Sequence, residues 1–182
     1  MSYDCGLNDP VTGERLSTNF NHQMYGGTYA IGGTNELWVN VTSNYGGYYN
    51  ESTDGDKRWL VRVRGEDRYG LPGLAGHTGA ESIPMLKDCI RKIEAKYKDS
   101  LGHWLSGNRE KRTFVHKKTH KEVDWPQRMD FDDYDEKITE YTVSEGDTSD
   151  YWEETAANAI SALYKLIALA ELRPDGVWEI DY

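Results

Sequence analysis

An α+β fold, a small antiparallel sheet packed by two helices with an inserted polar β-hairpin module, follows from three features of the 182-residue chain. Two segments repeat apolar residues at helical spacing. Several short segments alternate with period two. Clusters of glycine, proline and asparagine separate them. The length fits one domain over 1–182.

The first 35 residues are rich in Gly, Asn, Tyr and Thr, with Gly26-Gly27 and Gly32-Gly33 as punctuation, and predict an irregular or hairpin-like N-terminal extension over 1–35. Leu37, Val39 and Val41 then alternate with Trp38, Asn40 and Thr42, the pattern of a half-buried strand. Ser43 to Tyr49 reads as a loop. A second strand fits Trp59 to Arg64, and a connection broken by Gly65, Gly70, Pro72, Gly73, Gly76 and Gly79 follows it. Ile83, Leu86, Ile90, Ile93 and Tyr97 form one helical stripe and predict a helix from about Ser82 to Lys98. Thr78 with Glu81 is a candidate capping box. Residues 107–145 are polar but strand-prone at Thr113–Val115, Lys121–Val123 and Ile138–Val143, and predict the inserted hairpin module. A second helix, Thr155 to Leu172, is apolar nearly all round, with a polar stripe of Asn158, Ser161 and Lys165, so it is the predicted centre of the core. Arg173-Pro174-Asp175-Gly176 ends it, and Val177 to Tyr182 alternate like a strand.

Charge is segregated along the chain. Residues 1–56 sum to −6, residues 57–128 to +8 and residues 129–182 to −12, which gives the overall −10. Such a net charge repels phosphate at long range and excludes a simple nucleic-acid binder, while leaving room for local contact through the basic segment. No run approaches the ~20 apolar residues of a membrane span. The N-terminus has neither a basic n-region nor an apolar stretch, so no signal peptide is expected. Two cysteines, Cys5 and Cys89, make no disulfide framework, and a cytoplasmic setting is the expectation.

Nucleophile motifs, a phosphate-binding loop and a dinucleotide fingerprint are missing from the sequence, which points away from an enzyme and from a cofactor. The surrounding Thr and Val residues predict a strand, on which His116 and His120 would stand about 13 Å apart, too far to share a metal ion, so no metal is expected. Asp130-Phe131-Asp132-Asp133-Tyr134-Asp135-Glu136 lacks the glycine and the twelfth-position carboxylate of a calcium loop. It is either a solvated acidic loop or a phosphate-mimicking strip. In a strand, alternate carboxylates stand about 6.6 Å apart, against one phosphate every ~3.4 Å along a DNA strand. Asp130, Asp132, Asp133, Asp135 and Glu136 are therefore candidate partner-binding residues. Tyr45, Tyr48 and Tyr49, beside Gly46 and Gly47, form a contact loop or fold back onto the sheet. Lys111, Arg112, Lys117, Lys118 and Lys121 are solvated cations or a local nucleic-acid contact.

Three segments carry a resemblance: Leu37 to Tyr45, His77 to Leu86, and Tyr151-Trp152 through Asn158-Ala159 to Pro174–Trp178. Together they resemble a family of small phage and prophage proteins of unknown activity. His77 stands where that pattern has lysine, and residues 107–145 look like an added module. The length, split charge and acidic run are similar to those of anti-CRISPR proteins that act on type II RNA-guided nucleases. The resemblance implies a host-defence inhibitor in the bacterial cytoplasm. Its partner would be a guide-loaded type II Cas nuclease, blocked partly by DNA mimicry, without cofactor or membrane contact. A homodimeric state is left open. The alternatives are a nucleotide- or other small-molecule-binding anti-defence protein and a metal-dependent hydrolase built on the acidic run.

Overall fold

The computed structural model describes residues 2–22, 34–63, 65–126 and 131–182. The chain forms an α+β fold around a three-stranded antiparallel sheet. Its central strand is β1 (Ser2–Asn8), flanked by β4 (Trp38–Thr42) and β10 (Val177–Asp181). The register places Cys5 between Val39 and Ile180. Cys5, Leu7, Val39, Val41, Trp178 and Ile180 are all buried, as period-two alternation requires of one sheet face.

The irregular extension expected over 1–35 is thus corrected, because its first residues form the middle of the sheet. Only Cys5 and Leu7 advertise the buried face, and Gly6 between them interrupts any strand pattern. A two-stranded pair, β2 (Ser17–His22) with β3 (Thr34–Glu36), lies at the sheet's end. Gly26-Gly27 and Gly32-Gly33 fall outside the described residues.

The segment Ser43–Tyr45 is a 3-10 turn that runs into α1 (Gly46–Thr53) rather than a loop. The predicted strand at Trp59 shortens to β5 (Val61–Val63), paired with β6 (Glu66–Arg68). Trp59 itself is the buried residue of a 3-10 turn, and Arg64 lies outside the described residues.

The second helix, α2 (Gly79–Tyr97), starts three residues before the expected Ser82. The reciprocal Thr78–Glu81 capping box satisfies the N–H groups of those two residues, while those of Gly79 and Ala80 donate to the Gly176 and Pro174 carbonyls. Gly79 is required there, since a Cβ would stand 2.6 Å from the Arg173 carbonyl oxygen and 3.0 Å from that of Ala170. Trp178 Nε1 donates to Ser82 Oγ at 2.8 Å and ties this helix start to β10.

The third helix, α3 (Ala156–Leu172), packs on α2 and on the sheet. Its buried residues, among them Leu163, Leu166 and Leu169, meet Leu86 and Ile93 of α2 in one core. The polar stripe differs from the expected one. Asn158 is buried, and its Nδ2 donates to the carbonyls of Asp150 at 2.8 Å and Glu153 at 3.1 Å, so solvent meets Ser161 and Tyr164 instead.

From this body rises a three-stranded sheet of order β8-β7-β9. It is built from β7 (Ser106–His116), the two-residue β8 (Glu122–Val123) and β9 (Tyr134–Ser144). The ladder runs without a slip from Ser106↔Ser144 to His116↔Tyr134. Eleven residues per strand give it a reach of roughly 35 Å at ~3.4 Å per residue.

Candidate binding surface

The antiparallel register of β7 and β9 folds the basic segment onto the acidic one. Arg112 lies 3.4 Å from Glu136, Lys117 3.9 Å from Asp135, Lys137 3.2 Å from Glu122 and Lys111 3.1 Å from Asp124. The hydrogen bond from the Thr113 hydroxyl, and then Lys137, hold the Glu122 carboxyl below the usual range. Lys118 and Lys121 are exposed and have no ion pair among the described residues.

The extended strip expected over 130–136 is corrected. Asp130 lies outside the described residues, and Phe131–Asp133 form a 3-10 turn. Lys117 fixes that turn, with its Nζ donating to the Asp132 carbonyl at 2.6 Å and its backbone N–H to that of Asp133 at 2.8 Å. Asp132 and Asp133 therefore stand on a turn. Asp135 and Glu136 alternate on β9 opposite Val115 and Phe114, so they point to opposite faces of the sheet.

Three aromatic residues that the sequence reading did not single out gather at the tip. Phe114, Trp125 and Phe131 pack edge-to-face, with ring centroids 5.3, 5.4 and 5.8 Å apart. Trp125 is 69% exposed and Phe131 41%. On the same strand face, His116 packs its ring 5.0 Å from that of Tyr134. His116 Nδ1 accepts from the Lys118 N–H at 3.1 Å and closes the turn that carries His120 at positive φ. Only the mixture of Phe and Trp with charged neighbours hinted at this cluster. Its assembly depends on β8 bringing Val123, and then Trp125, beside Phe114.

The tyrosine loop is corrected too. Tyr45, Tyr48 and Tyr49 are buried and cannot act as an exposed stacking surface. Their spacing of three and four places them on one helical face, which turns inward. The Tyr49 hydroxyl donates to the Ala159 carbonyl at 2.9 Å, and Tyr45 donates to that of Tyr151. Burial first, then Asp150, pushes the Tyr45 hydroxyl up to about 12.

Tyr48 belongs to a buried polar group. Its hydroxyl donates to Glu145 Oε2 at 2.7 Å and accepts from Arg109 at 3.2 Å, while Arg109 also pairs with Glu145 Oε1. Glu145 Oε2 accepts from the Ala156 N–H at 2.9 Å, at the positive end of α3. Glu145 is 3% exposed. Burial raises the Tyr48 hydroxyl most, and the bond to Glu145 raises it further.

Arg109 comes from the base of β7 and Glu145 from the residue after β9, so this buried pair fastens the hairpin to the body. Sequence reasoning missed it, because nothing in one dimension joins two residues 36 positions apart. The group borders a cleft of 350 Å³ that also takes in Glu51, Tyr97 and Glu154. Burial is the main reason that the Glu154 carboxyl is raised.

A second cleft, of 520 Å³, lies on the other side of Glu51 and includes Tyr3, Asp54, Asp67, Tyr69 and Tyr182. Among the described residues, no group of three or more His, Cys, Asp or Glu is placed to hold a metal ion, and no helix is long and apolar enough to cross a membrane. Neither a family model, nor a curated protein, nor a solved structure matches the chain.

Proposed function

We propose that this protein is an inhibitor that works by binding, and that the projecting hairpin is the part it inserts into its partner. The observation that carries the proposal is the tip. An exposed Trp125–Phe131–Phe114 cluster stands beside Asp132 and Asp133 at the end of a long, unbroken ladder anchored by a buried ion pair. Exposed aromatic side chains are what protein interfaces bury at their energetic centres.

The partner class favoured is a type II RNA-guided Cas nuclease. Such an enzyme offers a positively charged channel and base-reading arginines. Asp132 and Asp133 would meet arginines by charge-assisted bonds, while Trp125 and Phe131 fill an apolar or stacking pocket. Asp135 and Glu136, already facing Lys117 and Arg112, contribute less to this contact. Among the described residues of the hairpin, Lys118 and Lys121 are the cations left for the guide or target backbone. Lys111, Arg112 and Lys117 are occupied within the hairpin.

Cleavage of a matched target by the guide-loaded nuclease, titrated with the protein, tests the proposal. Trp125→Ala with Phe131→Ala is expected to raise the inhibitory concentration by at least tenfold without changing the thermal melt. Asp132→Asn with Asp133→Asn is expected to do so several-fold, with a weaker dependence on salt. Equal inhibition by wild type and both variants overturns the docking model.

A further inference from the structure

The 520 Å³ cleft plays no part in the docking proposal. Its walls come from separate elements: Tyr3 of β1, Asp54 at the end of α1, Asp67 and Arg68 of β6, Tyr69 and Pro72 after β6, and the C-terminal residue Tyr182. Three tyrosines and a proline give it an apolar, π-rich lining. The Tyr3 and Tyr182 rings stand 6.2 Å apart and tilted by 44°. A volume of 520 Å³ falls in the range of small-molecule sites, ~300–1,000 Å³, and far exceeds the needs of a single ion.

Charge in the lining selects the kind of ligand. Glu51, Asp54 and Asp67 outnumber Arg68, the one cation among the described lining residues. Arg68 lies 3.6 Å from Glu66, and Asp67 lies 3.7 Å from Arg62. Both pairs are exposed and long, so they hold their charges weakly. Glu51 is engaged by Lys96 and by the Tyr97 hydroxyl at 3.1 Å. Asp54 has no ion pair among the described residues. An anionic ligand would meet three carboxylates, whereas a cation meets them and the negative faces of the tyrosine rings.

We infer that this cleft binds a small aliphatic polyamine. Ammonium groups pair with Asp54 and Asp67, and the methylene spacer lies against the tyrosines and Pro72. A chain with two or three ammonium groups uses the spread of the carboxylates over two elements, which a monoamine cannot. The spacer takes part as well, because alkyl stems bury well against aromatic faces while their charged ends stay paired.

Isothermal titration of the full chain with spermidine and putrescine tests the inference, and it requires no partner nuclease. The expected result is saturable one-to-one binding of spermidine, with no heat from 1,4-butanediol, the neutral isostere. Asp54→Asn with Asp67→Asn is expected to weaken spermidine binding at least tenfold, and Tyr182→Ala several-fold. Glu140→Gln with Glu171→Gln removes the same charge from elsewhere on the surface and is expected to leave binding unchanged.

Equal weakening by the two double variants reduces the effect to diffuse attraction by an acidic protein and overturns the site. Absence of saturable heat from the wild type does the same. Nα-acetyl-lysine amide forms a further arm: binding as tight as that of spermidine would show a site for a lysine side chain, and would overturn the polyamine assignment. Thermal melts of every variant in the absence of ligand separate loss of the site from loss of the fold.

Discussion

Replacing Arg109 by methionine leaves Glu145 with the Tyr48 hydroxyl and the Ala156 N–H but with no counter-charge, in a place only 3% exposed. Removing one member of a buried pair costs far more than the pair contributes as a whole, because the remaining charge stays desolvated. Arg109→Met is therefore expected to lower stability by about 3 kcal/mol in a denaturant melt. Arg109→Met with Glu145→Gln is expected to recover more than half of that loss, since the neutral amide keeps the shape and the N–H partners can still be satisfied. Additive losses in the double variant would show that the two side chains act separately. The three tyrosines make the same point about environment. Read as surface, Tyr45, Tyr48 and Tyr49 promised stacking on a ligand, but each spends its hydroxyl on a partner from the segment 145–159 and thereby holds α1 against the start of α3.

Among the elements, the two long helices were legible because each carries a long periodic signal. The Ile83–Tyr97 stripe and the Thr78–Glu81 box located α2, and the all-round apolar run located α3. The hairpin was legible as polar, β-branched alternation. Its register was not, since pairing partners are set by where the strands leave the body. Two elements hid for local reasons. β1 carries Gly6 at its centre, and α1 opens with Gly46-Gly47, which reads as a breaker. In both cases burial against α3 or the flanking strands overrides weak local propensity. The site was legible in part: the hairpin was singled out, but by its charges, whereas its aromatic tip and buried anchor came only from the fold. The central role of α3 yields a direct expectation. Leu163 is fully buried between α2 and the sheet. Leu163→Asp forces a charge into that core at a cost above ~4 kcal/mol, a large share of a total of ~5–15. The variant is expected to lose its cooperative melt in circular dichroism at 25 °C, and a wild-type melt would displace α3 from the centre of the core.

At the scale of the whole molecule, segregation of charge along the sequence does not become segregation in space. Residues 57–128 carry +8 and residues 129–182 carry −12, yet β7 comes from the first block and β9 from the second, and they lie side by side. The outer hairpin, residues 111–139, holds seven basic and seven acidic side chains. It is an arm of zero net charge, with four ion pairs among its described residues, on a body that keeps the full −10. Long-range attraction to a basic partner then belongs to the body, and short-range fit belongs to the arm. Strip-like phosphate mimicry would instead load the arm with uncompensated charge. Excision separates the two. Replacing residues 111–139 by Asn-Gly closes the ladder at the Glu110↔Glu140 pair with a two-residue turn suited to strand twist, and retains Arg109, Tyr141 and Glu145. Because the core cluster contains no residue from the excised stretch, the shortened chain is expected to melt cooperatively within a few degrees of the full chain. Its net charge is unchanged, so salt-dependent encounter with a guide-loaded nuclease should persist, while dissociation quickens by at least tenfold and inhibition of cleavage is lost. Surface plasmon resonance at two salt concentrations resolves the rates. An unchanged dissociation rate would place the contact on the acidic body and remove the arm from the mechanism.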